Sequence, residues 1–196
     1  MTLSLVVVAK DQWDLTKFDL GNVLGQVDEL IMLANPGARF GGLGVIGNHV
    51  LDHGRGDVVG LVHADAVLSA GAIGAFCREA TAGSVCGMVG RALGGEYVWC
   101  NDIQEPRAVS TLDSCAIFAR RDIGVRFDTE TFDGFHCCVE DFCLQAWAHG
   151  APTKIAPASG CQHLGTMWGQ REWMGDYSKY RALLSKKWAG VGFSTT

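Results

Sequence analysis

The stretch that most restricts what this chain can fold into is Gly54–Asp65, GRGDVVGLVHAD. A Gly-rich turn feeds the apolar run Val58-Val59-Gly60-Leu61-Val62, which empties without a break into His63-Ala64-Asp65. An apolar run of this length, bounded by turn residues, reads as a strand buried on both faces in the middle of an α/β sheet. Open α/β sheets bind ligands beyond the carboxyl ends of their strands, so His63 and Asp65 are expected at the mouth of such a crevice. Two residues apart in extended chain, the imidazole and the carboxylate project to one side, which suits a divalent ion and the phosphates it carries. The same tripeptide also describes a strand end followed by a solvated turn, so further residues have to carry the argument.

The flanking chain repeats the pattern. Leu3–Ala9 reads as a strand, Asp14 or Thr16 caps a helix running to about Gly25, and Val27–Ala34 is a second strand ended by the turn Asn35-Pro36-Gly37. Gly41–His53 spaces Leu43, Ile46, Val50 and Leu51 as one helical face, and Ser69 caps a helix ending near Gly83 with Ile73, Phe76 and Cys77 inward. Strand and helix in alternation imply parallel pairing with right-handed crossovers, so residues 1–66 form a Rossmann-like nucleotide-binding half. Residues 67–196 are less regular. Strands are expected at Val85–Val89, Tyr97–Cys100, Leu112–Ala119 and Ile155–Pro157, with a polar loop, Asn101–Ser110, placed to cover a site. A helix from about Cys138 to His149 carries Glu140 and Asp141 in its first turn, Gly160–Gly165 is a loop, and Arg171–Trp188 is a closing amphipathic helix.

Bulk properties narrow the class. A chain of 196 residues that is 48% hydrophobic fits a single α/β domain with a sizeable core. Its net charge of −5 offers no general attraction for nucleic acid or an anionic membrane surface. The apolar run Leu3–Ala9 has no basic flank or cleavage site and reads as a strand rather than a signal peptide, and no stretch is long enough to span a bilayer. Eight cysteines occur without a C-x-x-C pair and mostly in apolar surroundings, which points to buried free thiols and a cytoplasmic location. His136, Cys137, Cys138 and Cys143 form an alternative zinc-type cluster, although adjacent cysteines rarely hold one ion together.

Three dispersed groups are candidates to converge: Asp65 after the third strand, Asp141 at a helix start, and His163 in the loop Gly160–Gly165. A carboxylate in a first helical turn also suits the macrodipole, which is the plain reading of Glu140 and Asp141. In their order, however, these residues carry a resemblance. GGLGVIGNHVLDHGRGDVVGLVHAD (41–65), LDSCAIFARRD (112–122), FDGFHCCVEDFCL (132–144), His163 and YSKYRALLSKKW (177–188) resemble segments of the inverting, GT-A-fold glycosyltransferases of the family 2 type. The likeness spans nearly the whole chain and implies a GT-A (Rossmann-like) fold, with a central mostly parallel mixed sheet flanked by helices. It also implies sugar transfer from a nucleotide-diphosphate donor to an acceptor hydroxyl.

The resemblance places Asp141 on the catalytic carboxylate and Asp65, His163 and His63 on the site of a Mn²⁺ or Mg²⁺ ion. Ala9, Asn35, Asn48, Arg55, His63, Asp65 and Asp113 fall on donor-binding positions, and Trp99 and Glu140 on the acceptor side, with Trp168 and Trp173 as further platform candidates. The chain departs from the family at three places. His63 stands where the family has the first Asp of D-x-D, Leu33-Ala34-Asn35 lacks the acidic residue that recognises the base, and Gly47 replaces a common Arg. The ion would neutralise the departing diphosphate, and Asp141 would accept the acceptor's proton. The acceptor, whether glycan, small molecule or hydroxylated nucleic-acid base, is open. A nucleotide- or sugar-binding module without turnover is the alternative on the same fold.

Overall fold

A computed structural model describes residues 1–9, 21, 23–35, 40–164 and 174–194. In chain order its elements are β1 (Leu3–Ala9), β2 (Glu29–Ala34), α1 (Leu43–His53), β3 (Val58–His63), β4 (Ala66–Val67), α2 (Ala72–Thr81), β5 (Val85–Gly87), β6 (Val89–Arg91), β7 (Tyr97–Trp99), β8 (Arg107–Ala108), β9 (Thr111–Leu112), β10 (Ala116–Arg120), α3 (Cys138–Ala148), β11 (Thr153–Ile155), β12 (Gln162–His163) and α4 (Met174–Lys187). The helix expected before Gly25 lies outside the described residues, apart from a turn at 23–26.

The main sheet runs β2-β1-β3-β10-β5-β11-β8. β1 pairs in parallel with both β2 and β3, as the alternating pattern requires, while β10 lies antiparallel between β3 and β5. Every residue of β1 is buried, and β3 is buried up to His63. These are the central strands the apolar runs demanded. On one face Phe76 of α2 meets Phe118 of β10, ring centroids 5.4 Å apart. Ile117 and Ala119 alternate to the other face, where α1 and α3 lie. There Phe127 stacks on Phe142 at 4.3 Å. Gly47 explains its own identity: a Cβ at this position would collide with the Phe127 ring, so no arginine fits.

The second half corrects several expected boundaries. Val85–Val89 is two strands in different sheets, because the chain leaves the main sheet after Gly87 to build a small sheet, β7-β6-β9. Leu112–Ala119 is likewise broken into β9 and β10 by a turn at Ser114 and Cys115, where the preceding Asp113 Oδ1 accepts the Cys115 N–H at 2.8 Å. The supposed covering loop 101–110 contains β8, which closes the edge of the main sheet beside β11. Ser69 does not cap α2 with its side chain.

Candidate active site

β3 hands His63 to the carboxyl edge of the parallel strands, and the next two residues turn into β4. β12 returns antiparallel to β4, setting His163 opposite Ala66, and the Leu164 N–H donates to the Asp65 carbonyl at 2.9 Å. His163 Nε2 thereby lies 3.5 Å from Asp65 Oδ1, and the His63 and His163 rings sit 6.0 Å apart. β10, running antiparallel beside β3, starts at this edge, and the His63 N–H donates to the Cys115 carbonyl. Donor atoms of His63, Asp65 and His163 all lie within 4.8 Å of one another, and so do those of Asp113, Cys115 and His163. The Nε2 of His63 is buried and has no hydrogen-bond partner among the described residues. A buried ring nitrogen without a partner carries a desolvation cost that a bound cation would relieve. The residues present therefore fit a divalent ion.

Charge in this cluster is polarised. Burial holds His63 below the usual histidine range despite the nearby Asp65 and Asp113. Burial also opposes a charge on His163, but the Asp65 hydrogen bond and the charges of Asp113 and Asp65 outweigh it and lift its pKa. Asp65 is opposed by burial too, and its hydrogen bond from His163 and the two imidazoles bring it below the ordinary carboxylate value.

Asp141, itself fully buried, belongs to a second cluster at the start of α3. Its carboxylate accepts from Trp188 Nε1 at 2.8 Å, Gln145 Nε2 at 2.7 Å and Lys187 Nζ at 2.9 Å. Lys187 also reaches Asp128 at 2.7 Å. Burial raises the Asp128 carboxyl, and the hydrogen bonds from Lys187 and Thr131 more than reverse this, bringing it to about 2. Cys137 precedes the helix in the left-handed region, φ 61°, which a non-glycine residue rarely adopts. Glu140, beside it, is 5% exposed.

The remaining sequence candidates divide by location. Ala9 ends β1 at the same edge as His63, and its carbonyl receives the Asn35 N–H at 2.8 Å. The Asn35 side chain is spent on the backbone of Phe40 and Gly41, so it anchors the loop after β2 rather than offering a free amide to a base. Asn48 exchanges hydrogen bonds with the N–H and carbonyl of Phe127, each 2.9 Å, and ties α1 to the segment before α3. Arg55 lies before β3, at the amino ends of the parallel strands, paired with Glu29 at 2.8 Å. That is the opposite edge of the sheet from His63, while the Asn48 amide is engaged by the Phe127 backbone. Trp99 is half-buried in β7 opposite Val89. Trp168 and Trp173 lie outside the described residues.

Some residues escaped the sequence reading. Asn101 accepts from the Cys161 N–H and donates to the Cys161 carbonyl, fixing the segment that presents His163. Only the spacing of an Asn sixty residues away in a turn could have signalled it, and that is no signal. A groove of about 670 Å³ runs between β6, β7 and the end of α4, lined by Arg91, Tyr97, Tyr177, Arg181, Trp188 and Phe193 among others. It shares Trp188 with Asp141. The alternative zinc cluster at 136–143 forms no three-donor group among the described residues, and all eight cysteines are buried free thiols.

The strand order, with β1, β2 and β3 parallel and β10 antiparallel among them, defines a mixed α/β fold of the GT-A (Rossmann-like) type. Neither a protein-family profile nor a curated protein matches the sequence. Among solved structures, TarS of S. aureus superposes with a TM-score of 0.56 at 13% identity, over 82% of this chain and 36% of that one. A197 from STIV matches with a TM-score of 0.54 at 14% identity, over 83% of this chain and 85% of its own. TarS residues 1–349 in complex with UDP matches with a TM-score of 0.50 at 13% identity. The chain spans 59% of that TarS fragment.

Proposed function

We propose that this chain transfers a sugar from a nucleotide-diphosphate sugar, a uridine diphosphate sugar first among them, to an acceptor hydroxyl with inversion. The observation that carries this reading is the meeting of His63, Asp65 and His163 at the carboxyl edge of a GT-A sheet, with one imidazole nitrogen buried and unpartnered among the described residues. The UDP complex of a structural neighbour supports the choice of nucleotide. Asp65 and the two histidines would hold a divalent ion, which supplies charge neutralisation for the departing diphosphate. Asp113, beside Cys115 and His163, would bind the donor sugar, and Ala9, whose carbonyl accepts the Asn35 N–H, would line the nucleotide cleft.

Asp141 is assigned as the general base. Its three donors hold it in one orientation, and to reach an acceptor it must shed Trp188, which lines the adjoining groove. That groove, with Tyr97, Tyr177 and Trp188 as sugar-stacking faces, is the acceptor site in this reading, with Glu140 and Trp99 flanking it. The complete burial of Asp141 favours a second reading, a nucleotide-sugar-binding module in which Asp141 is purely structural. UDP release from a panel of UDP-sugars, with added divalent cation, separates the two. Release that Asp65→Asn abolishes supports the transferase, and tight UDP binding without release supports the module.

A further inference from the structure

We infer that the His63, Asp65 and His163 site takes a borderline transition-metal ion in preference to magnesium, and that His63 is the residue that sets this preference. The inference rests on the reading above only in placing an ion there. It follows from which atoms are offered. Two of the three donors are imidazole nitrogens and one is a carboxylate oxygen, gathered within 4.8 Å. His63 Nε2 is buried and, among the described residues, has no hydrogen-bond partner, which leaves that atom open to a ligand. Magnesium demands near-ideal octahedral oxygen coordination and gives up water reluctantly. Imidazole instead suits Fe, Co, Ni, Cu and Zn, with affinity rising from Mn²⁺ through Co²⁺ and beyond.

The neighbouring donor group points the same way. Asp113, Cys115 and His163 add a thiol to the shared imidazole, and a thiol is softer still. In that set Asp113 Oδ1 already accepts the Cys115 N–H and Cys115 is fully buried, which leaves the two-imidazole set as the one open to an ion. Either set contains a donor that magnesium disfavours. A carboxylate at position 63 would remove the discrimination.

The test is calorimetric titration of the whole chain, stripped by chelator, with MgCl₂, MnCl₂, CoCl₂ or ZnCl₂, each with and without UDP, alongside the visible spectrum of the cobalt form. Cobalt and zinc are expected to bind at least about tenfold more tightly than magnesium. His63→Asp is expected to weaken cobalt binding by about 10- to 100-fold without weakening magnesium. If that variant fails to fold by circular dichroism, His163→Asn serves, and it must remove the cobalt spectrum. Magnesium binding as tight as cobalt, no cation bound in either series, or an unchanged cobalt affinity in a folded His63→Asp chain would overturn the inference. UDP-sugar turnover is followed in parallel. Tight cobalt binding without turnover ends the transferase reading and keeps the ion preference; turnover with equal magnesium and cobalt affinity does the reverse.

Discussion

Two clusters of carboxylate and cationic or imidazole groups lie in this molecule, and they are built in opposite ways. Around Asp141 every polar atom on the carboxylate is answered: an indole, an amide and an ammonium all point at it, out of reach of water. Around Asp65 the cluster is left open, with His63 Nε2 unanswered among the described residues and Asp65 partly exposed. A saturated buried carboxylate stabilises a fold, whereas an unsaturated one beside an orphaned nitrogen is an offer to a ligand. The contrast assigns tertiary stability first to the Asp141 cluster and ligand chemistry first to the Asp65 cluster.

The sharpest way to break this contrast is to remove each carboxylate in turn. Asp141→Ala leaves Lys187, Trp188 and Gln145 facing an empty site and should cost about 3–5 kcal/mol of unfolding free energy in urea titrations. Asp65→Ala should leave stability within about 1 kcal/mol, since Asp65 is partly exposed, while metal-dependent UDP release falls by a hundredfold or so. A large stability loss at Asp65 together with a small one at Asp141 would invert the comparison. Asn48→Ala strips both hydrogen bonds from Phe127 and should cost about 1–3 kcal/mol without altering UDP affinity, read by denaturation and by calorimetry.

Acid titration sharpens the same point. The Asp128 carboxyl sits at about 2, below its unfolded value, so its contribution is fully present above the ordinary carboxylate range and drains away as pH falls toward 2. After solvent screening this amounts to about 1 kcal/mol, and Asp128→Asn should flatten the loss of stability between about pH 4 and 2 by that much. Smallest of all, Arg55→Ala should change stability by about 0–1 kcal/mol and leave UDP binding untouched, because its partner Glu29 lies at the far edge of the sheet.

How much of this could be read from the sequence follows from where the physics is local. β1, β3, α1 and α3 were legible nearly to the residue, because unbroken apolar runs and 3.6-residue periodicity are local signals. The breaks at Met88 and at 113–115 were not, since a strand that changes sheets keeps the same apolar composition on both sides of the break. The same division holds for the site. His63 and Asp65 were legible as a strand end, and the pairing of His163 with them came only through family likeness, since a two-residue strand has no periodicity. The partners of Asn48 and Arg55, the Phe127 backbone and Glu29, were not legible, because chain order does not record which distant groups a side chain meets.

The two-residue ladder between β4 and β12 carries one last consequence. So short a ribbon has little cohesion of its own, and a cation clasped across it would act as a rivet, joining the last third of the chain to the first. Chelation should then register in amide hydrogen exchange at Ala66, Val67, Gln162 and His163 well before it registers in the melting of the sheet behind them.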